Sequence, residues 1–158
     1  MELGVVYRDG SHGVPPDLER SFQCFCAAAG QGNAQAMTNL GALYMSGTLP
    51  LELSSTVMSP NSQGNDAENT RGRIGEKAGG AAANEQREQA VRREHDERGV
   101  ICFLRAASMG VAEAVHNLNQ LLQDQDDREL VFMMARQFLE VQSEAEVHSG
   151  LERLGLRL

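Results

Sequence analysis

The feature that most constrains the fold is a short pattern that occurs twice at a fixed spacing. The pattern consists of Leu-Gly, two residues, Tyr, two further residues and Gly. Its two copies lie 37 residues apart, at Leu3, Gly4, Tyr7 and Gly10 and again at Leu40, Gly41, Tyr44 and Gly47. A fixed period in this range is typical of repeat proteins, in which each unit buries its apolar face against its neighbours. The 158 residues leave room for about three such units, which is near the minimum for a stable stack.

Two short helices joined by a tight turn are predicted between Asp17 and Gly47. Asp17 is placed to cap the first helix, which has apolar residues at the helical period, at Leu18, Phe22, Phe25 and Ala29. Glycines end this helix, Asn33 can cap the next one, and the second apolar stripe consists of Ala36, Leu40, Leu43 and Tyr44. Because the two stripes need cover, we expect the helices to form an antiparallel hairpin.

This hairpin resembles the Sel1-like repeat, a relative of the tetratricopeptide repeat. The residues that carry the resemblance are Ala28, Ala29, Gly32, Asn33, Ala34, Ala36, Leu40, Gly41, Tyr44 and Gly47. The resemblance implies an all-α fold, a short α-solenoid of antiparallel helix hairpins that stack into a superhelix.

The repeat resumes late in the chain after a long insertion. Residues 97–110 align with 19–32, and residues 111–118 with 33–40, both at an offset of 78. Subtraction of one unit leaves an insertion of about 41 or 42 residues, which a solenoid can carry because loop closure costs little extra as a loop lengthens. The family pattern then decays, with Asn119, Leu122 and Gln125 in place of the glycine, the tyrosine and the final glycine.

These observations predict five segments. Residues 52 to 80 are rich in Ser, Gly, Asn and charge, a composition typical of disorder, whereas the following stretch favours a helix without an apolar stripe. Near the end, Asp126 or Asp127 is predicted to cap the first of two helices, 128–142 and 143–155. The predicted segments are Sel1-like repeats at 1–50, a disordered low-complexity insertion at 51–81, a polar helical extension at 82–98, a degenerate repeat at 99–125, and a C-terminal helical pair or cap at 126–158.

The first repeat signature begins directly after Met1 and Glu2, so the first half of the helix that opens this unit is missing from the pattern. We therefore treat the first unit as truncated. A fragment of a longer array or a late start is the expectation, and a first helix that frays is the alternative.

Net charge and hydropathy exclude several classes of function. A net charge of −8 and a pI near 5.0 argue against a surface for nucleic acid or for an anionic membrane, which needs clustered Lys and Arg. No stretch approaches the ~20 apolar residues of a membrane span, and no secretory signal opens the chain. We expect an intracellular, cytoplasmic protein, with an organellar location left open.

Candidate chemical groups are better explained by packing. Cys24 and Cys26 stand two apart on a predicted helix and point in different directions, and Cys102 occupies the repeat position of Cys24. No spacing among the histidines resembles a ligand pair or a general base beside a nucleophile: His12, His95, His116 and His148. The acidic run near Asp124 lacks the glycine and distal glutamate of a calcium loop. We therefore predict no catalytic, cofactor-binding or metal-binding residue, and no enzyme.

The resemblance implies a protein-binding scaffold or adaptor whose partners lie in the concave face of the superhelix. The residues assigned to this face are Gln35, Thr38, Asn39, Met45, Glu113, His116, Asn117 and Gln120. One alternative is a fragment or subunit of a larger array, which would self-associate if the array is truncated. A hydrolase with this fold is the less favoured alternative.

Overall fold

A computed structural model describes residues 2–11, 13–49 and 81–158. These residues form seven helices and no strand: α1 (Glu2–Asp9), α2 (Leu18–Gly30), α3 (Ala34–Met45), α4 (Ala81–Ser108), α5 (Ala112–Leu121), α6 (Gln125–Leu139) and α7 (Glu144–Arg153). The insertion predicted to be disordered lies outside the described residues, except for Ala81, which begins α4.

The predicted helix ends in the first hairpin are confirmed. The side chain of Asp17 accepts a hydrogen bond from the backbone N of Arg20 at 3.0 Å, and Asn33 accepts one from the backbone N of Ala36 at 2.9 Å. Each cap satisfies an amide that the first helical turn leaves without a partner. Gly32 follows α2 with φ +81°, a left-handed conformation that glycine adopts at little cost.

The helices stack in chain order, which confirms the predicted all-α solenoid. Helix α2 packs on α1 and α3, and α4 packs on α3, α5 and α6. Helix α7 packs on α6, and the segment after it reaches back to α5, where the backbone N of Arg157 donates to Asn119 Oδ1 at 2.9 Å. Within the part of the chain described, no helix has the length and apolar composition needed to cross a membrane.

The core consists of two apolar clusters that meet where α3 packs on α4. The first lies between α2 and α3, with Phe22, Phe25, Ala36, Leu40, Leu43, Tyr44 and Leu49 buried. The second lies among α4, α5, α6 and α7 and includes Phe103, Leu104, Leu118, Val131 and Leu151. Cys102 of α4 packs on the first cluster, and Met37 and Met45 of α3 pack on the second. The two clusters therefore share helices and support one another.

Equivalent glycines of the first two units receive equivalent phenylalanine rings. A Cβ on Gly4 would lie 2.6 Å from the ring of Phe25, and a Cβ on Gly41 would lie 2.8 Å from the ring of Phe103. The two glycines are 37 residues apart and the two phenylalanines 78 apart, as the sequence alignment requires. Helix α3 and the second half of α4 thus form one structural unit, equivalent to α1 and α2, with the insertion inside it.

The last two helices differ from their predicted bounds. Asp124 caps α6 by accepting from the backbone N of Asp126 at 3.0 Å, so the prediction of Asp126 or Asp127 as the cap is wrong. Helix α6 ends at Leu139, and Glu140 adopts a left-handed conformation with φ +54°. Ser143 and Glu146 then form a reciprocal capping box at the start of α7. The starts and ends of α6 and α7 therefore differ by a few residues from the positions that apolar periodicity suggests.

Candidate functional site

Two of the residues assigned to a binding face meet in the structure. Gln35 Nε2, in the first turn of α3, donates to Glu113 Oε2, in the first turn of α5, at 2.5 Å. These residues are 78 apart in sequence and occupy the same repeat position. Adjacent units therefore present equivalent positions side by side on one surface.

Helix α1 contributes a charged residue to the same surface. The pKa of Arg8 is raised mainly by its hydrogen bond to Asp9 Oδ1, at 2.7 Å, and to a smaller extent by the charge of Glu113. Arg8 therefore lies close enough to α5 for the Glu113 carboxylate to act on it. We name this surface the odd-helix face and define it by Arg8, Gln35, Asn39, Glu113, His116, Asn117 and Gln120.

The amide and imidazole side chains of the odd-helix face are accessible to differing degrees. Asn39 and Asn117, which share a repeat position, are half-buried, whereas His116 and Gln120 are exposed. Neither asparagine side chain has a hydrogen-bond partner within the described residues. Their amide groups are free to bond to groups outside the chain.

Two of the predicted face residues serve packing instead. Thr38 is 1% exposed and its hydroxyl donates to the backbone O of Ala34 at 3.2 Å, so the prediction that Thr38 is exposed is wrong. A threonine is small enough to be covered completely, and bonding to its own helix satisfies the hydroxyl. Met45 is half-buried, packs on the second cluster and lies over Gly99, where its Cγ would be 2.8 Å from an added Cβ. Neither residue is part of the odd-helix face.

Cys26 and Cys102 have the properties of core residues. Burial raises the pKa of the Cys26 thiol to about 12 and that of Cys102 to about 11, and both side chains pack on the first cluster. The thiolate is the form that attacks substrates and binds metals, and burial disfavours it here. Among the described residues, no group of three or more His, Cys, Asp or Glu side chains is placed to hold a metal ion.

His95 is a buried polar residue that sequence reasoning missed. It is 3% exposed, its ring centroid lies 5.5 Å from that of Tyr44, and its Nε2 has no hydrogen-bond partner within the described residues. Burial lowers the pKa of His95, and the charge of Arg98 lowers it further. The surrounding run of polar residues concealed this position. The repeat offset of 78 could have indicated its burial, because it makes His95 equivalent to Asp17, the residue that caps the start of α2.

A groove between α6 and α7 is the second accessible feature, and it too was missed. Its volume is about 760 Å³, and Phe132 of α6 is one of the residues that line it. The guanidinium carbon of Arg128 is 5.7 Å from the Phe132 ring centroid, and the ring of His148 is 4.9 Å from it. His148 is held in place because its Nδ1 donates to the backbone O of Glu144 at 2.9 Å. We name this feature the α6–α7 groove.

A Sel1 repeat family model matches residues 1–33, 34–52 and 89–111. The chain contains Sel1 repeats. The two shorter matches stand on either side of the insertion and cover α3 and residues 89–108 of α4, the half of α4 that packs on α3 and α5. Their placement agrees with the equivalent Gly–Phe contacts, which join these two Sel1 segments into one unit. Sel1 repeats are commonly protein–protein interaction modules. No curated protein and no solved structure matches the chain.

Proposed function

We propose that this chain is a noncatalytic adaptor that binds partner proteins through the odd-helix face. The observation that carries the proposal is the hydrogen bond between Gln35 and Glu113, which aligns equivalent positions of neighbouring Sel1 units on one surface. A surface built by repetition can hold a partner at several regularly spaced points, which is how solenoid proteins form extended binding sites.

The side chains of the odd-helix face suit hydrogen bonding to a protein partner. Gln35, Asn39, Asn117 and Gln120 each carry an amide, which has both donors and an acceptor and can bond to peptide groups as well as to polar side chains. Arg8 and Glu113 add one charge of each sign. This mixture fits a polar segment of a partner better than a nucleic acid, which would require clustered cations.

The noncatalytic part of the proposal is supported by the burial of two of the three cysteines. Cys26 and Cys102 hold their protons at neutral pH because burial raises the pKa of both thiols. A thiol in this state is a poor nucleophile. Turnover of a generic ester or β-lactam by the purified chain, measured spectrophotometrically, would overturn this part of the proposal and favour the hydrolase alternative.

The binding proposal is tested by the double substitution Asn39→Ala and Asn117→Ala. Both side chains lack partners within the described part of the chain, so the variant should keep the helical content and unfolding midpoint of the parent. Affinity capture with quantitative mass spectrometry should show reduced recovery of the proteins that the parent chain enriches, and purified partners should then bind the variant at least about tenfold more weakly.

The matched control replaces two exposed amides of α4, Gln86 and Gln89, by alanine. This control removes the same chemical groups from a surface that is not part of the odd-helix face, and it should capture partners as the parent does. Undiminished capture by the Asn39 and Asn117 variant would refute the odd-helix face as the binding surface.

A further inference from the structure

One repeat position carries an unpartnered polar side chain in three successive units. Glu2 of α1, Asn39 of α3 and Asn117 of α5 are related by the offsets of 37 and 78. Glu2 is exposed and both asparagines are half-buried. None of the three side chains has a hydrogen-bond or ion-pair partner within the described residues. A row of polar groups that can bond to a partner therefore runs from α1 to α5.

The pair of residues one helical turn earlier shows why the asparagines are left without partners. Gln35 precedes Asn39 by four residues on α3, Glu113 precedes Asn117 by four on α5, and the two longer side chains bond directly to each other at 2.5 Å. Each asparagine is one methylene group shorter, and no hydrogen bond joins Asn39 to Asn117 within the described part of the chain. A polar group of a ligand can occupy the space between the two amides.

The chemistry of these amides favours an extended backbone as the ligand. A carboxamide has donors and an acceptor, so it can bond to the N–H and the C=O of a peptide group. An extended segment offers both groups, whereas a helix uses them internally. Neighbouring helices lie ~10 Å apart and an extended chain advances ~3.3 Å per residue, so such a segment passes from one odd helix to the next in about three residues.

The charges on this surface favour a basic ligand. Neither Glu2 nor Glu113 forms a salt bridge within the described residues. The nearby cation, Arg8, bonds to both carboxylate oxygens of Asp9, through Nε at 2.7 Å and Nη2 at 3.2 Å. The positive charge of Arg8 is therefore compensated within α1, and two carboxylates remain for a partner. The net charge of −8 acts in the same direction, because it attracts cationic partners at long range.

We propose that the odd-helix face binds an extended, basic segment of a partner protein. The backbone of the segment bonds to Asn39 and Asn117. Two of its Lys or Arg side chains, about six residues apart, pair with Glu2 on α1 and Glu113 on α5. This inference rests on the proposed function, since it assigns a chemistry to the partner of the same surface.

The probe is a fluorescently labelled peptide of about twelve residues, made of serine and threonine with two arginines about six residues apart, which is too short to form a stable helix. A second peptide replaces both arginines by glutamate. A third keeps the arginines and carries N-methyl groups on the backbone between them, which removes N–H donors. Binding to the full chain is measured by fluorescence anisotropy at low and at physiological salt, because exposed ion pairs weaken with ionic strength.

The arginine peptide should bind the parent chain, the N-methylated peptide should bind more weakly, and the glutamate peptide should not bind. The substitutions Asn39→Ala and Asn117→Ala together should weaken binding of the arginine peptide about tenfold. The substitutions Glu2→Lys and Glu113→Lys together should weaken it by at least as much and create binding of the glutamate peptide.

The matched control for charge is Glu85→Lys with Glu152→Lys. It makes the same change of net charge at two exposed carboxylates of α4 and α7, outside the odd-helix face. This control should bind the arginine peptide at physiological salt as the parent does, since long-range attraction is screened there. An equal loss of binding in the control would show that net charge alone attracts the peptide, which overturns the inference.

Two further results would overturn the inference: no binding of the arginine peptide by the parent chain, or equal binding of the arginine and N-methylated peptides. Either result, together with capture of partner proteins that still depends on Asn39 and Asn117, would leave the proposed function standing and remove only the chemistry assigned to the partner. If neither capture nor peptide binding depends on the two asparagines, both proposals fail.

Discussion

At the scale of single residues, the fold depends on glycines that admit aromatic rings. Phe25 is completely buried and its ring lies within 3.0 Å of where a side chain on Gly4 would stand. In the third repeat the equivalent position is Asn119, whose side chain accepts a hydrogen bond from the backbone N of Arg157. The sequence showed this exchange of Gly for Asn as decay of the pattern. The structure shows that the asparagine holds the C-terminal segment.

The substitution Phe25→Ala should lower the free energy of unfolding by about 3–5 kcal/mol, because it removes a buried ring and leaves a cavity. Urea unfolding monitored by circular dichroism measures the loss. Phe132→Ala is the control, since this ring is only half-buried and its removal should cost clearly less. A Phe25 variant as stable as the parent would refute the packing described for the first cluster.

His95 should make stability depend on pH. Its lowered pKa means that the folded chain resists protonation of this ring more than the unfolded chain does. The contribution of His95 to stability is therefore fully present above its unfolded-state pKa of 6.5 and is lost as the pH falls below that value. The charged groups that act on the ring are Arg98, which opposes protonation, and Glu94 and Asp96, which favour it; Tyr44 faces it from α3.

Urea unfolding of the parent and of His95→Phe, compared between about pH 7.5 and pH 5.5, isolates this contribution from that of other groups. Phenylalanine keeps the ring contact with Tyr44 and removes the unpartnered Nε2. The parent should lose more stability than the variant as pH falls. Parallel losses in the two proteins would show that His95 does not control the pH dependence.

At the scale of helices, α4 consists of two parts with different environments. It is 28 residues long and begins 15 residues before the position equivalent to the start of α2. The side chains from Glu85 to Ala90 are all exposed, whereas Val100, Phe103 and Leu104 are buried. The composition of this segment predicted a polar helix. The burial of His95 could not be read from composition, because it depends on where α3 ends relative to α4.

Proline substitutions test this division. Gln86→Pro should reduce helical content while leaving the unfolding midpoint nearly unchanged, because the side chains of this stretch are exposed. Arg105→Pro also replaces an exposed residue, but it lies in the packed half of α4 and should cost about 3 kcal/mol or more. Circular dichroism and thermal unfolding report both quantities. A large loss of stability from Gln86→Pro would mean that the first part of α4 is packed.

At the scale of the whole molecule, the repeat offsets predicted the stacking but not all of the accessible surfaces. Offsets of 37 and 78 located the helices that form equivalent units and brought Gln35 next to Glu113. The α6–α7 groove had no counterpart in the repeat pattern, because it is formed where the pattern has decayed and α7 lacks the family residues. Its lining depends on how α7 turns back after Glu140, which periodicity does not specify.

The central structural claim is that α3 and the packed half of α4 form one repeat unit across the insertion. A double-mutant cycle on Gly41→Ala and Phe103→Leu tests it most directly, with urea unfolding as the readout. Gly41→Ala alone should cost about 1–3 kcal/mol because its methyl group meets the Phe103 ring. That cost should be smaller in the Phe103→Leu background, which corresponds to a coupling energy of at least about 0.5 kcal/mol. The equivalent pair in the uninterrupted unit, Gly4→Ala and Phe25→Leu, should show a coupling energy of the same size. Additive losses at Gly41 and Phe103, beside coupled losses at Gly4 and Phe25, would contradict the claim.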